Sequence, residues 1–318
     1  AMDDLDADDA VRAVIFTGGG NSSFVAGADV RQLLEDVHTL EEALPLPNVA
    51  HLAFRLIERM GKPCIAAING VALGGGLEFA LACHYRIAEP VAVFGQPEIR
   101  LNLLPGYGGT QRLTRLLADR DGAEGFVQAM EIILGGRQLD ATEALAAGVI
   151  DEVVSGSDDA VARAAALVRD WLAEDGRTTF GRHMATVAER RRAWDAAGHL
   201  DVDGLLALPP VTRLLAQAER VGRAGATVRI LDAVRTGWRD GLTAGLAREA
   251  RLFAEAVVDP AGGKAGIRAF FDRRSAPLPT RRQVVGNDRR ADLIARGDLL
   301  PVGAPFYPGV TPIPAWQL

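Results

Sequence analysis

The sequence predicts an α/β protein in which a core of alternating strands and helices is followed by a long helical region. Between residues 11 and 154, short apolar stretches rich in β-branched residues alternate with stretches of helical periodicity, the pattern of α/β folds. From residue 157 onward the periodicity is almost entirely helical, and after Arg274 the chain becomes rich in proline. We therefore expect a core at residues 1–156, a helical region at 157–279 and an extended tail at 280–318.

The elements of the core follow from the apolar pattern. Strands are predicted at Val11–Thr17, Cys64–Ile68, Tyr85–Ala88, Ala92–Phe94 and Ile150–Val154. Helices are predicted at Asp29–Glu35, Val49–Met60 and Leu77–Cys83, then from Tyr107 or Gly108, and at Ala123–Leu134 and Ala141–Ala147. Because Cys64–Ile68 is apolar throughout, we expect both faces of that strand to be covered.

The later helices are predicted in the same way, at Asp158–Glu174, Arg182–Ala196, Val211–Val221, Thr227–Arg235 and Ala244–Val257, with Pro209-Pro210 as a break. The proline-rich tail contains one further helical pattern, at Asp288–Ala295. At the other end, the chain begins on what looks like the last turn of a helix and runs straight into a strand. We therefore expect that an N-terminal segment, including the first strands of the core, precedes residue 1.

Composition excludes several classes of function. The 318 residues carry a formal net charge of −6, which gives no overall basic footprint for nucleic acid. The two cysteines, Cys64 and Cys83, lie in apolar stretches, which is typical of a reducing compartment, and we expect a cytoplasmic protein. No apolar run reaches the ~18 residues that a membrane span needs. The five histidines lack metal-ligand spacing, so no metal site is predicted.

Three basic clusters are the only features that would favour nucleic acid. They are Arg190-Arg191-Arg192, Arg281-Arg282 and Arg289-Arg290. No aromatic residues are interleaved with them, as single-stranded nucleic acid recognition would require. We interpret them as solvated helix faces or subunit contacts.

The segment "NGVALGGGLEFALAC" places three glycines, Gly74–Gly76, directly before a helix. Such a start leaves backbone N–H groups without partners and favours negative charge. A second glycine turn, "FVAGAD" at Phe24–Asp29, also precedes a helix. Two N–H groups from these turns could converge on one oxygen as an oxyanion hole, or the turns could serve packing alone.

Two glutamates adjoin these turns. Glu78 lies among apolar residues in the first turn of its helix, and partial desolvation there would raise the pKa of its carboxyl group. Glu98 follows 20 positions later, between an apolar strand and the glycine turn "PGYGG". Two such carboxyls could divide acid and base work between them. Alternatively, Glu78 complements a helix dipole, and Glu98 caps a turn or pairs with Arg100 or Arg112.

Four segments together resemble the crotonase (enoyl-CoA hydratase/isomerase) superfamily and follow its order. They are "SFVAGADVRQL", "KPCIAAINGVALGGGLEFALACHYRIA", "VFGQPEIRLNLLPGYGGTQRLTRLL" and "LDATEALAAGVIDEVV". A weaker match, "GGKAGIRAFFDRRSAP", resembles the family's C-terminal helix. The resemblance implies a crotonase-like spiral of ββα units, followed by a C-terminal helical trimerisation region.

Carried over by position, the resemblance implies oxyanion donors at the N–H groups of Ala28 and Gly75, and catalytic acids at Glu78 and Glu98. It implies substrate or CoA contacts at ten positions: Ala26, Asp29, Val30, Arg31, Leu73, Gly74, Pro97, Tyr107, Phe270 and Arg273. Tyr107 stands where relatives usually have a small residue, so its ring could narrow the pocket or simply pack. Phe270 and Arg273 match positions that reach CoA at or across a subunit interface in relatives.

Because both acids are present, the favoured function is that of an enoyl-CoA hydratase, which adds water syn across a 2-enoyl-CoA. CoA is then part of the substrate, and no separate cofactor is expected. The alternatives are an enoyl-CoA isomerase or alicyclic acyl-CoA hydrolase of the same fold, or a non-catalytic CoA- or RNA-binding scaffold. We expect a homotrimer or a dimer of trimers, without nucleic-acid or membrane partners. An apolar stripe at helical spacing was the further reason to expect assembly: Leu252, Phe253, Ala256, Val257, Ile267, Phe270 and Phe271.

Overall fold

A computed structural model describes the chain at residues 2–20, 22–156, 159–174, 178–195 and 201–275. Residues as far as Phe271 belong to one compact unit, and the last four described residues belong to a second. The tail at 280–318, the helix predicted at Asp288–Ala295 and the two later arginine clusters lie outside the described residues.

The described residues form eight strands. They are β1 (Val14–Thr17), β2 (Ser23–Val25), β3 (Cys64–Ile68), β4 (Val71–Leu73), β5 (Tyr85–Ala88), β6 (Val93–Gly95), β7 (Gln138–Asp140) and β8 (Glu152–Val153). A single 3-10 turn, Glu98–Leu101, follows β6.

The first seven helices among the described residues are α1 (Met2–Ala7), α2 (Val30–Glu35), α3 (Leu40–Ala43), α4 (Pro45–Arg59), α5 (Gly75–Ala82), α6 (Gly109–Gly135) and α7 (Ala141–Ala147). The later helices are α8 (Ala160–Ala173), α9 (Thr179–Trp194), α10 (Val202–Leu206), α11 (Pro209–Arg220), α12 (Ala224–Asp240), α13 (Leu242–Val258) and α14 (Gly263–Ser275).

The strands alternate between two sheets. One sheet has the order β1-β3-β5-β8 and is parallel, whereas the other has the order β2-β4-β6-β7 and ends in an antiparallel pair. Each of the first three repeats of the chain thus adds one strand to each sheet and then passes into helical structure. This arrangement is the predicted spiral of ββα units, and the α/β class with C-terminal helices is confirmed.

Strand β3 lies at the centre of the first sheet and is completely buried, as predicted. Cys64, Ala66 and Ile68 belong to the main hydrophobic core, whereas Ile65 and Ala67 face a second core formed with α8 and α9. Alternating side chains of one strand therefore join the two layers, which is why its sequence is apolar without alternation.

The two helices predicted around Gly122 are confirmed, because Asp121 and Gly122 have non-helical backbone angles (φ 60° and ψ −132° at Gly122) that divide α6 into two helical parts. The prediction was wrong where proline was interpreted as a break. Helix α11 begins at Pro209, so the Pro209-Pro210 pair starts a helix, since proline lacks only an N–H that the first turn does not use. Strands β2, β4 and β7 were missed because a strand of three residues is too short to show the alternation of apolar and polar residues by which strands are recognised.

The interpretation of Arg191 as solvated or as a subunit contact is wrong. Its side chain on α9 is buried, and its guanidinium donates to the carbonyls of Ala82 and Cys83 at 2.7 Å each and of Leu81 at 3.4 Å. These carbonyls end helix α5, where the backbone lacks helical partners and a cation is favourable. Burial lowers the pKa of Arg191 to about 10, which leaves the group charged at neutral pH. Arg191 therefore caps the helix that carries Glu78.

Five residues of the apolar stripe of α13 and α14 are covered by the same chain. Leu252, Phe253, Ala256, Val257 and Ile267 are at most 4% exposed. The expectation that these five need cover from a partner subunit is therefore wrong, whereas Phe270 and Phe271 are half-buried and the assembly stays a prediction. Lys264 anchors α14, since its ammonium donates to the carbonyls of Leu33, Leu34 and Val37 at the end of α2.

We predict that Arg191→Met lowers the free energy of unfolding by about 3 kcal/mol, because the α5 carbonyls would stay buried without a charged donor. Urea denaturation monitored by circular dichroism measures this change. The matched control is Arg192→Met, since the neighbouring Arg192 is exposed, and its effect should stay within about 0.5 kcal/mol. Equal losses in the two variants would show that the cap contributes nothing.

Candidate active site

Two glycine turns bring two backbone amides into one small region. Gly75 is the first residue of α5, and Ala28 follows β2 just before α2. A Cβ atom built on Gly75 would lie 3.8 Å from the Ala28 nitrogen, and one built on Gly27 would lie 3.9 Å from the Gly75 nitrogen. Neither amide donates a hydrogen bond to another described residue. The pair thus meets the basic requirement of an oxyanion hole.

Each of the three glycines at the start of α5, Gly74–Gly76, is required for a different steric reason. Gly74 adopts φ 53° and ψ −125°, a conformation that residues with side chains avoid. A Cβ on Gly75 would approach the Tyr107 ring to 2.9 Å, and a Cβ on Gly76 would lie 1.8 Å from the carbonyl oxygen of Val25. Glycine is therefore required at position 74 by the backbone conformation of the turn, at 75 by the Tyr107 ring and at 76 by strand β2.

Glu78 projects from the first turn of α5 and is only 1% exposed. Its Oε1 accepts hydrogen bonds from the N–H of Tyr107 at 2.8 Å and of Gly109 at 2.6 Å. Burial raises the pKa of Glu78 well above its ordinary value, and the charges of Glu249 and Glu98 raise it further against the two N–H groups. The carboxyl is thus held in a fixed position with a high affinity for a proton.

Glu98 begins the 3-10 turn after β6, and its carboxyl lies against the glycine turn of α5. A Cβ on Gly74 would be 2.7 Å from Glu98 Oε1. The buried amide of Gln96, with its NH2 group assigned by hydrogen-bond complementarity, lies 3.0 and 3.1 Å from the two carboxyl oxygens. Burial raises the pKa of Glu98 to about 8, and the charge of Glu249 acts in the same direction. The structure therefore places Glu98 against the glycine turn that leads to Gly75, and Glu78 three residues after Gly75 on the same helix.

The suggested ion-pair partners of Glu98 bind elsewhere. Arg100 donates to the carbonyl oxygen of Gly136 at 2.7 Å. The buried Arg112 forms a two-pronged ion pair with Glu58, at 2.7 and 3.2 Å. Neither arginine therefore neutralises Glu98, which is consistent with the raised pKa of its carboxyl.

Tyr107 lies directly over the α5 start. Its ring edge would be 2.9 and 3.0 Å from a Cβ on Gly75, and its ring centre is 5.9 Å from that of Phe253 on α13. The ring is therefore both packed on α13 and adjacent to the proposed oxyanion donor. The packing of the Tyr107 ring is thus observed, whereas its effect on the pocket stays a prediction.

The other residues predicted for substrate or CoA fall in three places. Ala26, Asp29, Val30 and Arg31 surround the start of α2; Leu73, Gly74 and Pro97 flank the two acids; Phe270 and Arg273 lie on α14. Asp29 caps α2, because its carboxylate accepts from the N–H of Arg31 at 2.9 Å and of Gln32 at 3.3 Å.

Helix α14 meets α2 of the same chain beside this group. The Arg31 guanidinium lies 4.7 Å from the centre of the Phe271 ring, and Phe270 packs edge-on against Phe271 at 5.5 Å. Arg273 falls beyond the compact unit that ends at Phe271. The roles of these residues toward CoA stay predictions.

Sequence reasoning missed Gln96 and Glu249. Glu249 is fully buried on α13 and accepts from the N–H of Gly108 at 2.5 Å and of Thr110 at 3.0 Å. A signal existed, since Glu249 lies three residues after Leu246 and four before Phe253, on the buried side of its helix. A lone acid inside an apolar stripe is uncommon unless it has partners.

Across the described ranges, no three or more His, Cys, Asp or Glu side chains are grouped so that they could hold a metal ion. The helices within those ranges include none whose length and apolar content would allow it to cross a membrane.

Comparison with known proteins identifies the family. A sequence profile described as enoyl-CoA hydratase/isomerase matches residues 1–200. The fatty acid oxidation complex subunit alpha of Shewanella halifaxensis is 35% identical over 275 residues, which make up 84% of this chain and 35% of that protein. The corresponding subunit of Shewanella loihica is also 35% identical, over 80% of this chain and 34% of its own length. The chain thus spans about a third of the curated relatives that it matches.

Solved structures agree with this match. An enoyl-CoA hydratase/carnithine racemase from Magnetospirillum magneticum is 28% identical, with a TM-score of 0.51, over 70% of this chain and 81% of its own. An enoyl-CoA hydratase from Thermoplasma volcanium is 26% identical, with a TM-score of 0.50, over 74% and 82% of the two chains. Since the family profile spans more than half of the sequence and the fold agrees, the chain belongs to the enoyl-CoA hydratase/isomerase family, the crotonase superfamily.

Proposed function

We propose that the protein is an enoyl-CoA hydratase that adds water syn across the double bond of a 2-enoyl-CoA thioester. The observation that carries this proposal is that two carboxyls, the buried Glu78 and the half-buried Glu98, lie on and against the glycine turn where the N–H groups of Ala28 and Gly75 converge. Hydration needs both an acid and a base beside the Cα–Cβ bond, and it needs donors for the thioester oxygen.

The amides act on the charge that develops during addition. As water attacks Cβ, electrons move into the thioester carbonyl and form an enolate. The N–H groups of Ala28 and Gly75 donate to that oxygen, and the start of α5 adds its partial positive charge. Donors fixed in this way stabilise the enolate more than the ground-state carbonyl, which lowers the barrier.

We assign the base to Glu78 and the acid to Glu98. Two backbone N–H groups donate to one oxygen of Glu78, an arrangement that favours its ionised form and leaves the other oxygen to take a proton from water. Glu98, with a pKa of about 8, then carries the proton that is delivered to Cα. The charge of Glu98 is one cause of the raised pKa of Glu78, so the ionisation of the two carboxyls is coupled.

We predict that Glu78→Gln and Glu98→Gln each lower kcat for crotonyl-CoA hydration by at least about 10²-fold, because each removes one proton-transfer group. KM should change little, since neither carboxyl supplies the main binding contacts. The loss of the enoyl thioester absorbance measures the rate. Glu41→Gln, an exposed acid on α3, is the matched control and should leave the rate unchanged.

Mass analysis of the product separates the proposal from its alternatives. Hydration adds one water to the acyl-CoA, isomerisation leaves the mass unchanged, and thioester hydrolysis releases free CoA. A protein without turnover on short, long and cyclic enoyl-CoAs would contradict the proposal and favour a binding role.

We predict that kcat/KM falls as the pH rises above about 8, because Glu98 loses the proton that it must donate. The sign follows from its raised pKa: the acid form is present below the pKa and is lost above it. Rates measured between about pH 5 and pH 10 should show this alkaline limb in the wild type and not in the residual activity of Glu98→Gln. An identical limb in both proteins would assign it to another group.

We also propose that Tyr107 limits the size of the acyl group, since its ring lies over Gly75. Tyr107→Ala should raise kcat/KM for long-chain relative to crotonyl-CoA by roughly tenfold, the scale of a few methylene contacts. The substitution keeps the backbone N–H that holds Glu78. Tyr107→Phe retains the ring and should leave the ratio unchanged, and an unchanged ratio in Tyr107→Ala would show that the ring only packs.

The acyl-CoA substrate and the assembly are proposed from the family. A homotrimer or a dimer of trimers, with Phe270 and Arg273 near CoA, is in keeping with the family resemblance. The position of Arg31 beside Phe271 supports a CoA contact at the junction of α2 and α14.

A further inference from the structure

Four consecutive backbone amides, those of residues 107–110, are divided between two buried carboxylates. Tyr107 and Gly109 donate to Glu78 at 2.8 and 2.6 Å. Gly108 and Thr110 donate to Glu249 at 2.5 and 3.0 Å, and the Thr110 hydroxyl also donates to Glu249. The partners alternate along the chain, so the two carboxylates hold opposite sides of one turn.

The turn is under steric constraint from several directions. Gly108 adopts φ 109°, which places successive N–H groups on opposite sides. A Cβ on Gly109 would approach Glu78 Oε1 to 2.9 Å, and the carbonyl oxygen of Tyr107 accepts from Arg112 at 2.9 Å. The N–H groups that meet Glu78 can therefore keep their positions only while the intervening N–H groups keep theirs.

We propose that Glu249 is a positioning residue that fixes the turn at residues 107–110 and thereby sets where and in which orientation Glu78 meets the substrate. This inference rests on the proposed hydration, in which Glu78 takes the proton from water. Glu249 is fully buried and lies 139 residues after Thr110 in the sequence. It therefore connects the late helix α13 to an acid on the early helix α5.

Glu249 also acts through its charge. The ionisable groups around it come from four elements: His51 on α4, with its Nε2 3.4 Å from Oε1; Glu78 on α5; Glu98 in the 3-10 turn; and Arg112 and Arg115 on α6. Its negative charge is one of the causes that raise the pKa of both Glu78 and Glu98. Removal of the charge should therefore move the loss of the Glu98 proton to lower pH.

The test is Glu249→Gln, which keeps the shape but replaces one acceptor oxygen by an NH2 group that faces donors. We expect kcat for crotonyl-CoA to fall by at least about tenfold with KM within about twofold, because a small displacement of a reacting group is costly. The alkaline limb of the pH profile should move to lower pH. A packing defect alone would not move this limb in that direction.

A second readout does not depend on turnover. Hydrogen exchange of the peptide that covers residues 105–112 should become faster in Glu249→Gln, including at Tyr107 and Gly109, whose N–H groups donate to Glu78. Glu255→Gln is the matched control, since Glu255 lies on the same helix in an exposed ion pair with Arg251. It should change neither the rate, the pH profile nor the exchange. If Glu249→Gln fails to fold, Thr110→Val removes the hydroxyl donor to Glu249 and should lower kcat and speed the exchange to a smaller extent, with the limb unmoved because Glu249 keeps its charge.

The outcomes separate this inference from the proposed function. A folded Glu249→Gln enzyme with wild-type kcat and pH profile would overturn the positioning role, as would a rise in KM with an unmoved limb. If the wild type has no turnover, the proposed hydration fails and exchange alone decides. Faster exchange at Tyr107 and Gly109 would then support the role of Glu249, and unchanged exchange would overturn it.

Discussion

A buried carboxylate and an unpaired backbone N–H group are each costly inside a protein, and the turn at residues 107–110 places them against one another. Transfer of an ionised carboxylate from water costs several kcal/mol unless donors replace its hydration. The first N–H groups of a helix need acceptors for the same reason. Here the start of α6 supplies the donors, and Glu78 and Glu249 supply the acceptors. The same set of hydrogen bonds therefore fixes the position of the proposed base, the start of α6 and the packing of α13 against it.

The late helices also contact the ends of α2 and α5 that lie away from the candidate active site. Helices α2 and α5 both begin beside the amides proposed for the oxyanion hole, and the carbonyls at their other ends meet a buried cation: Lys264 from α14 for α2, and Arg191 from α9 for α5. A cation at a helix C-terminus stabilises the partial negative charge there. The partial positive charge at the N-terminus of the same helix stays available to the proposed oxyanion. The helical region after residue 157 thus contributes to the electrostatics of a site whose reacting groups all lie before residue 110.

What the sequence predicted well was local. Strand β3 was predicted correctly, and Glu78 and Glu98 could be placed beside the α5 turn, because an apolar run, or an acid beside a glycine turn, is visible within a few residues. Their catalytic roles stay predictions. The start of α11 at Pro209 was misjudged because proline breaks some helices and begins others. Glu249 and Arg191 could not be assigned partners, since their contacts lie more than 100 residues away. Such groups meet only in the folded chain, and the hydrophobic periodicity of the sequence does not indicate which distant residues will be in contact.

The contrast between Glu58 and the two proposed acids explains why the site uses amides where an arginine would also fit. All three carboxyls are removed from water, which by itself raises the pKa of each. Arg112 holds the pKa of Glu58 below its ordinary value, so that the pair adds stability at neutral pH and loses it only as the pH falls. Backbone and side-chain amides at Glu78 and Glu98 orient the carboxyls without a full opposing charge, and their pKa values stay raised. A carboxyl with a raised pKa destabilises the fold as the pH rises above the unfolded pKa, yet at Glu98 it retains the proton that the proposed acid catalysis must deliver.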